Sequence, residues 1–496
     1  MMSDHEMLSW LQESSGQTYG NYINGEWRPA NGGRTFQVVH AAEHERVIGY
    51  FADSDSDDVN SAVEAADAAF TSWSALPGPE RGAILLRFAD LMELDRDELA
   101  FRLSAEQGKT IAESRGEVAR AVKEARFAVG EASRILGETV PSERRNVRNT
   151  VVRYPIGVVA AIAPWNFPVV TPVRKIAPAL AYGCTIVFKP ASATPWASAR
   201  LMELFTEAGV PSGVVNMVTG GGSRVGDPLT KHPRVKGISF TGSTELGLRI
   251  QQTAAVRLAR TQLELGGKNA AVVLNYTDLG GAAKQIVSAA FACSGQRCTS
   301  ISRVVVIKSQ ADKLTEALLQ EVKQLRVGPA WEPGIHMGPL VNKEQLESVQ
   351  RYVRLGKEEG AELLYGGEVL SGGTYENGAY MEPALFVKVT EHMTIAREEI
   401  FGPVLTVIEA NSKEDALRIA NGTEYGLAAS VFTDELSDAN EFAVRLEAGM
   451  VHVNHGTASE AHMPFGGVKQ SGFGAFSIGS TNQQFYTENK VIYTLY

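Results

Sequence analysis

Residues Gly157–Ala163 read GVVAAIA, and short apolar runs of the same kind return at Thr185–Phe188 (TIVF), Val214–Val218 (VVNMV) and Gly237–Phe240 (GISF). Each is bounded like a strand, and none alternates with polar residues, so each predicts a strand covered on both faces. Helical segments lie between them, and strand and helix alternating in this way predict an α/β fold built on a parallel sheet. A second series starts with Ala270–Leu274 (AAVVL), leads through a helix to about Cys293 and then Ser302–Ile307 (SRVVVI), and runs on through a helix over Asp312–Leu325. It continues with Val404–Ala410 (VLTVIEA), Ser430–Thr433 (SVFT) and Met450–Asn454 (MVHVN). Two series predict two lobes with a cleft between them.

Upstream, Val63, Ala66, Phe70 and Trp73 recur at helical spacing within Asp57–Trp73, and two further helices are expected over Glu80 to about Ala100 and Thr110–Leu136. Ser142–Tyr154 and the tail Asn482–Tyr496 are strand-like but fit neither series, which leaves them to pair with each other or with another subunit.

At about 150 residues per domain, 496 residues suggest roughly three domains. A content of 44% hydrophobic and 21% charged residues excludes a disordered or fibrous chain. With 47 basic against 57 acidic side chains, the net charge of −10 argues against a general nucleic-acid or anionic-membrane surface. The three cysteines, Cys184, Cys293 and Cys298, are too few for a disulfide framework, and no Cys/His spacing suits a metal. The N-terminal MMSDHEMLSWLQESS lacks the basic start and apolar run of a secretion signal, and no apolar run is long enough to span a membrane. A cytoplasmic protein is expected.

Three stretches carry candidate chemistry. In FACSGQRC (Phe291–Cys298), Cys298 follows the polar turn Gly295-Gln296-Arg297, an environment that suits a reactive thiolate, whereas Cys184 and Cys293 lie in apolar contexts and read as structural. A lone cysteine is otherwise most often a small buried hydrophobe. In LELGGK (Leu263–Lys268), Glu264 sits between leucines where a strand meets a flexible turn. Apolar neighbours raise a carboxyl pKa toward the range of a general base, although a surface glutamate is the plainer reading. In APWNFP (Ala163–Pro168), Asn166 follows a buried strand at the edge where parallel sheets bind ligands; it is an amide donor there, or simply a turn residue beside prolines.

Together with NYINGEW (Asn21–Trp27), FTGSTELG (Phe240–Gly247), EEIFGP (Glu398–Pro403) and MPFGGVKQSGFG (Met463–Gly474), these stretches resemble the NAD(P)-dependent aldehyde dehydrogenase superfamily over nearly the whole chain. The resemblance implies a Rossmann-like cofactor domain (1–136 and 155–262), an α/β catalytic domain (263–468) and a small β oligomerisation element (137–154 and 469–496). It implies Cys298 as nucleophile, Asn166 as oxyanion donor and Glu264 as the base that hydrolyses the thioester. It also implies a cofactor site made of Trp165, Lys189, Ser192, Gly242, Ser243, Gly247, Leu265, Glu399 and Phe401. The Gly-rich turn Gly242–Gly247, between a strand and a helix, is the feature that would meet a pyrophosphate.

Arg174 and Phe465 are the expected substrate contacts. Semialdehyde-oxidising relatives carry an arginine at the Arg174 point, which favours an aldehyde with a distal carboxylate, although a second arginine those relatives carry is replaced by Ala292. Ser192 stands where many NAD-preferring relatives have a glutamate, so NADP is expected to be accepted and even preferred, with NAD still usable. A homodimer or homotetramer is expected. The alternatives are an aromatic or broad-specificity aldehyde dehydrogenase, a CoA-acylating one, and a catalytically silent structural protein of the same fold. The presence of both Cys298 and Glu264 weighs against the last two.

Overall fold

In the computed structural model, residues 15–496 are described; the N-terminal stretch read for a secretion signal lies outside them except for Ser15. The first strand series forms the middle of an eight-stranded sheet in the order Gly472–Phe473, Arg260–Glu264, Val235–Thr241, Val158–Ile162, Thr185–Lys189, Val215–Met217, Asn21–Ile23, Glu26–Arg28. The five strands from Arg260–Glu264 to Val215–Met217 are parallel, and short antiparallel strands close both edges. The register brings Ile162 beside Lys189 and Phe240, and Thr241 beside Glu264. Four C-terminal strand ends therefore open on one edge, where parallel sheets bind their ligands.

The second series forms a seven-stranded sheet in the order Glu362–Tyr365, Ala384–Val387, Val404–Ala410, Ile301–Ile307, Asn269–Val273, Ala428–Phe432, Met450–Val453. The first two of these strands carry no pattern that the sequence reading picked out. Glu362–Tyr365 is a half-exposed edge strand, which removes the apolar run that marks a buried one.

The helix expected over Glu80–Ala100 is two helices, Gly78–Leu94 and Arg96–Gln107, joined at Asp95. The Asp95 carboxylate is held by Arg200 at 3.0 Å, a long-range contact invisible to apolar periodicity. The next helix, Ile111–Ala132, starts on a reciprocal Thr110–Glu113 cap and ends four residues before the expected Leu136. The two leftover segments do pair: Thr487–Leu495 runs antiparallel along Val147–Pro155, with Glu138–Val140 on the other side. Asn482–Tyr486, expected as strand, is a helical turn that buries Phe485 and Tyr486. Gly472–Phe473, grouped by sequence with the tail, pairs with Arg260–Glu264, and the next residue, Gly474, has a φ of 88° and lies so close that a Cβ there would be 2.2 Å from the Thr261 carbonyl oxygen. Among the described residues no helix is long and apolar enough to cross a membrane.

Candidate active site

Glu264 ends its strand with its side chain turned inward, 4% exposed. One carboxylate oxygen accepts from the Ser477 N–H at 3.4 Å and the other has no partner. Burial pushes this carboxyl up to about 7, against the pull of Lys175 and Arg174. Lys175 is itself buried, donates to Ser239 Oγ at 3.0 Å, and is pulled down by burial to about 7. The two glycines after Leu265 then let other segments come close. A Cβ on Gly266 would lie 2.3 Å from Glu399 Oε2, and one on Gly267 would lie 2.6 Å from the Cys298 carbonyl oxygen.

Cys298 is reached through a left-handed turn, with φ of 53° at Cys293, 55° at Ser294 and 72° at Gly295. The turn is held at its far side by Gln296, whose Oε1 accepts from the Val341 N–H at 3.0 Å. Asn269 Nδ2 donates to the Cys298 carbonyl at 2.7 Å and the Ser300 carbonyl at 2.8 Å. The thiol packs against Leu427, Phe465 and Ile478. Burial, joined by the negative charges of Glu399 and Glu264, pushes the Cys298 thiol up to about 12 and outweighs Arg174 and Arg297, so the thiol is held neutral.

Asn166 is fixed from both ends. Its Nδ2 donates to the Gln296 carbonyl at 2.9 Å, which leaves the second amide hydrogen for another acceptor. Its own carbonyl accepts from Lys109 Nζ at 2.6 Å, and Lys109 is paired with Glu117 at 2.6 Å in a fully buried contact. Glu117 Oε1 also accepts the N–H groups of Val169 and Val170, at 2.9 and 3.0 Å.

Cys298, Glu264, Asn166, Trp165, Gly242, Ser243, Leu265, Glu399, Phe401, Arg174 and Phe465 all line one cleft of about 490 Å³. Lys189, Ser192 and Gly247 do not line it. Lys189 lies at the same strand edge, buried, donating to the Pro190 carbonyl at 3.0 Å and pulled down by burial to about 8. The Ser192 hydroxyl, expected as a free donor, is engaged by the Gly220 carbonyl at 3.0 Å. Gly247 packs against Leu265, where a Cβ would come within 2.4 Å of Leu265 Cδ2.

Along this edge the residues fit a dinucleotide. Ser243 caps the 12-residue helix Thr244–Ala255, whose N-terminus faces the cleft and suits a pyrophosphate. Glu399 is a half-buried residue whose carboxyl, pushed up by burial to about 7, accepts the Gly267 N–H at 2.9 Å through one oxygen. The Phe401 ring stands edge-on to Trp165 at 5.2 Å. At the opposite wall Arg174 forms a two-point contact with Glu124, at 2.8 and 3.1 Å, and lies over the Phe465 ring at 4.5 Å.

Several residues around the cleft escaped the sequence reading: Lys109, Glu113, Glu117, Arg120 and Lys175. Their signal was charge at helical spacing. Glu113, Glu117, Arg120 and Glu124 fall on one face of Ile111–Ala132, a face that packing alone would make apolar.

The model of the aldehyde dehydrogenase family matches residues 27–492 of this chain. The chain is 43% identical over 477 residues to an α-ketoglutaric semialdehyde dehydrogenase of Bacillus subtilis, covering 96% of this chain and 98% of that one. It is 41% identical over 465 residues to a 2,5-dioxopentanoate dehydrogenase of Saccharolobus solfataricus, covering 93% and 96%. A crystal structure of a betaine aldehyde dehydrogenase from Staphylococcus aureus in complex with NAD+ superposes with a TM-score of 0.96 at 32% identity, covering 99% of this chain and 97% of that one. A match that runs through both sheets and every stretch of the cleft, at these identities, makes the chain an NAD(P)-dependent enzyme of the aldehyde dehydrogenase family.

Proposed function

We propose that this enzyme oxidises an aldehyde carrying a distal carboxylate to the corresponding acid, with Cys298 as nucleophile, Asn166 as oxyanion donor and Glu264 as hydrolytic base. The observation that carries the reading is the convergence of these three side chains and Arg174 on one cleft. The Cys298 sulfur attacks the aldehyde carbon, and its proton must leave, since the thiol is neutral at rest. That proton passes to bulk water, which leaves the Glu264 carboxylate free to act as the base of the later hydrolysis, where a carboxyl near 7 exchanges protons at neutral pH. The free hydrogen of the Asn166 amide and the Cys298 backbone N–H stabilise the alkoxide of the resulting thiohemiacetal. A bound nicotinamide dinucleotide, held by the residues named below, would supply the hydride acceptor. Glu264 then activates a water molecule against the Cys298 thioester, releasing the acid and the free thiol.

The distal carboxylate is supported by Arg174 in the cleft wall and by the names of the two relatives, which act on carboxylated semialdehydes. Lys189, Ser192, the Ser243 helix N-terminus, Leu265, Trp165, Glu399 and Phe401 are the residues that would hold the dinucleotide. NADP is accepted and preferred in this reading, because Ser192 sets no carboxylate against a 2′-phosphate and Lys189 lies three residues away. The three-stranded sheet leaves Tyr154, Val491, Tyr493 and Leu495 exposed, which supports a homodimer or homotetramer built through it. The direct test compares kcat/KM for succinic semialdehyde and butanal, with each cofactor: a preference for the acid supports the reading, and equal values for the two aldehydes refute it.

A further inference from the structure

Three arginines, Arg120, Arg174 and Arg297, line the cleft that holds Cys298. Their charges are not equally available. Arg174 Nη2 and Arg120 Nε approach the same oxygen of Glu124, at 2.8 and 2.7 Å, and Arg174 Nε reaches the other oxygen at 3.1 Å. The Glu124 side chain is 3% exposed, so the one carboxylate is shared by two guanidinium groups away from water. One negative charge balances only one of the two cations, and the trio keeps a net charge of +1 in a wall where the dielectric is low.

Arg174 is held in place by its two-point contact and by the Phe465 ring beneath it. Arg120 is held differently. Its Nη1 donates to the Ser459 carbonyl, which fixes the guanidinium without cancelling its charge, and its Nη2 is buried with no partner. A buried charged donor left unmatched is costly, so a site that supplies an anion on binding recovers that cost. Arg297 is the weaker candidate. It bonds to Thr299 within its own turn at 3.3 Å and also lines a small cavity with Gly267 and Glu399, on the side assigned to the dinucleotide.

We propose that Arg120 is a specificity-determining residue: with Arg174 and their shared Glu124 it forms the anion site for the distal carboxylate, Arg120 restoring the positive charge that Glu124 takes from Arg174. This rests on the reading above that the substrate carries such a carboxylate. The roles divide accordingly. Arg174 gives the site its shape against Phe465, and Arg120 makes its charge positive.

The test is the selectivity ratio, kcat/KM for succinic semialdehyde over that for butanal, in the full-length enzyme and in Arg120→Gln, Arg120→Lys, Glu124→Gln and the double variant Arg120→Gln/Glu124→Gln. Arg120→Gln should cut the ratio at least tenfold, chiefly through KM for the acid, and Arg120→Lys should retain most of it. Glu124→Gln should raise the ratio, since it leaves two unbalanced cations. The double variant should recover it, because Arg174 then keeps its own charge. An Arg120→Gln ratio within threefold of the parent overturns the proposal, as does a Glu124→Gln ratio that falls. If Arg120→Gln does not fold, the Arg120→Lys and Glu124→Gln ratios still decide. No preference for the acid in the parent enzyme is a separate failure, that of the carboxylate reading itself.

Discussion

Replacing Lys109 by Met would break the clamp that holds the proposed oxyanion donor. Lys109 Nζ lies 2.6 Å from Glu117 Oε2 and 2.6 Å from the Asn166 carbonyl, with neither charged side chain exposed beyond 1%. Burial, the largest single influence, lowers the Lys109 pKa, but the charge and hydrogen bond of Glu117 together with Cys293 and Glu113 more than offset it, and the net shift is upward. The pair is therefore ionic. Removing one member of such a pair strands the other charge, at a cost of about 3–5 kcal/mol. Glu117 keeps the N–H groups of Val169 and Val170, which puts the expected loss near the lower end, about 3 kcal/mol. With an unfolding entropy of about 2.1 cal/mol/K per residue over 496 residues, this should lower the thermal midpoint by about 3 °C.

The kinetic effect follows from geometry. With its carbonyl released, Asn166 is held only through its amide to Gln296, and loss of a single oxyanion donor costs about 100-fold in kcat. We expect kcat to fall by about that factor with KM for the aldehyde within about threefold, since the groups that bind the rest of the substrate are untouched. Lys109→Met/Glu117→Gln should regain about 1–2 kcal/mol of stability, because no buried charge is left alone, but little of the kcat. A Lys109→Met enzyme within about 1 kcal/mol of the parent and with unchanged kcat would refute this account of the clamp.

Three further predictions concern other parts of the molecule. Because burial holds the Glu264 carboxyl up to about 7 and a base works only when deprotonated, thioester hydrolysis should fall about tenfold per pH unit below about 7 and level off above it, read as steady-state turnover after the first cycle. Ser192→Glu should lower the NADP-to-NAD ratio of kcat/KM by about tenfold or more, mainly through weaker NADP binding; an unchanged ratio would mean that the adenosine ribose is recognised elsewhere. On sedimentation the full-length enzyme should run as the proposed homodimer or homotetramer and a chain lacking the final strand, Thr487–Leu495, as a monomer, because the deletion removes the full-length partner of Val147–Pro155 and the exposed Val491, Tyr493 and Leu495 with it.

The legible part of this chain was the part that local chemistry decides. Buried parallel strands such as Val158–Ile162 announce themselves because both faces must be apolar, and the strand ends then locate the ligand edge. Glu264 and Cys298 were found from their immediate neighbours and from the family resemblance. What stayed hidden depends on partners distant in sequence. Nothing in the sequence around Lys109 marks its contact with the carbonyl of Asn166, 57 residues away, which only folding creates. Arg120 and Glu124 are a helical i, i+4 pair whose link to Arg174, 50 residues beyond Glu124, only the fold supplies. The apolar side of the Cys298 environment was hidden for the same reason. Its flanking Gly, Gln and Arg are polar, but the residues packed on the sulfur are Leu427, Phe465 and Ile478, far along the chain.

The central claim is that Cys298 carries the acyl group and Glu264 releases it. The direct measurement is a rapid-mixing experiment on Glu264→Gln with excess aldehyde and NADP, followed by mass analysis of the quenched protein. The account predicts a burst of about one equivalent of NADPH per active site, little steady turnover, and an acyl adduct on the peptide holding Cys298. Full steady-state turnover in Glu264→Gln, or an adduct on Cys293 instead of Cys298, would contradict it.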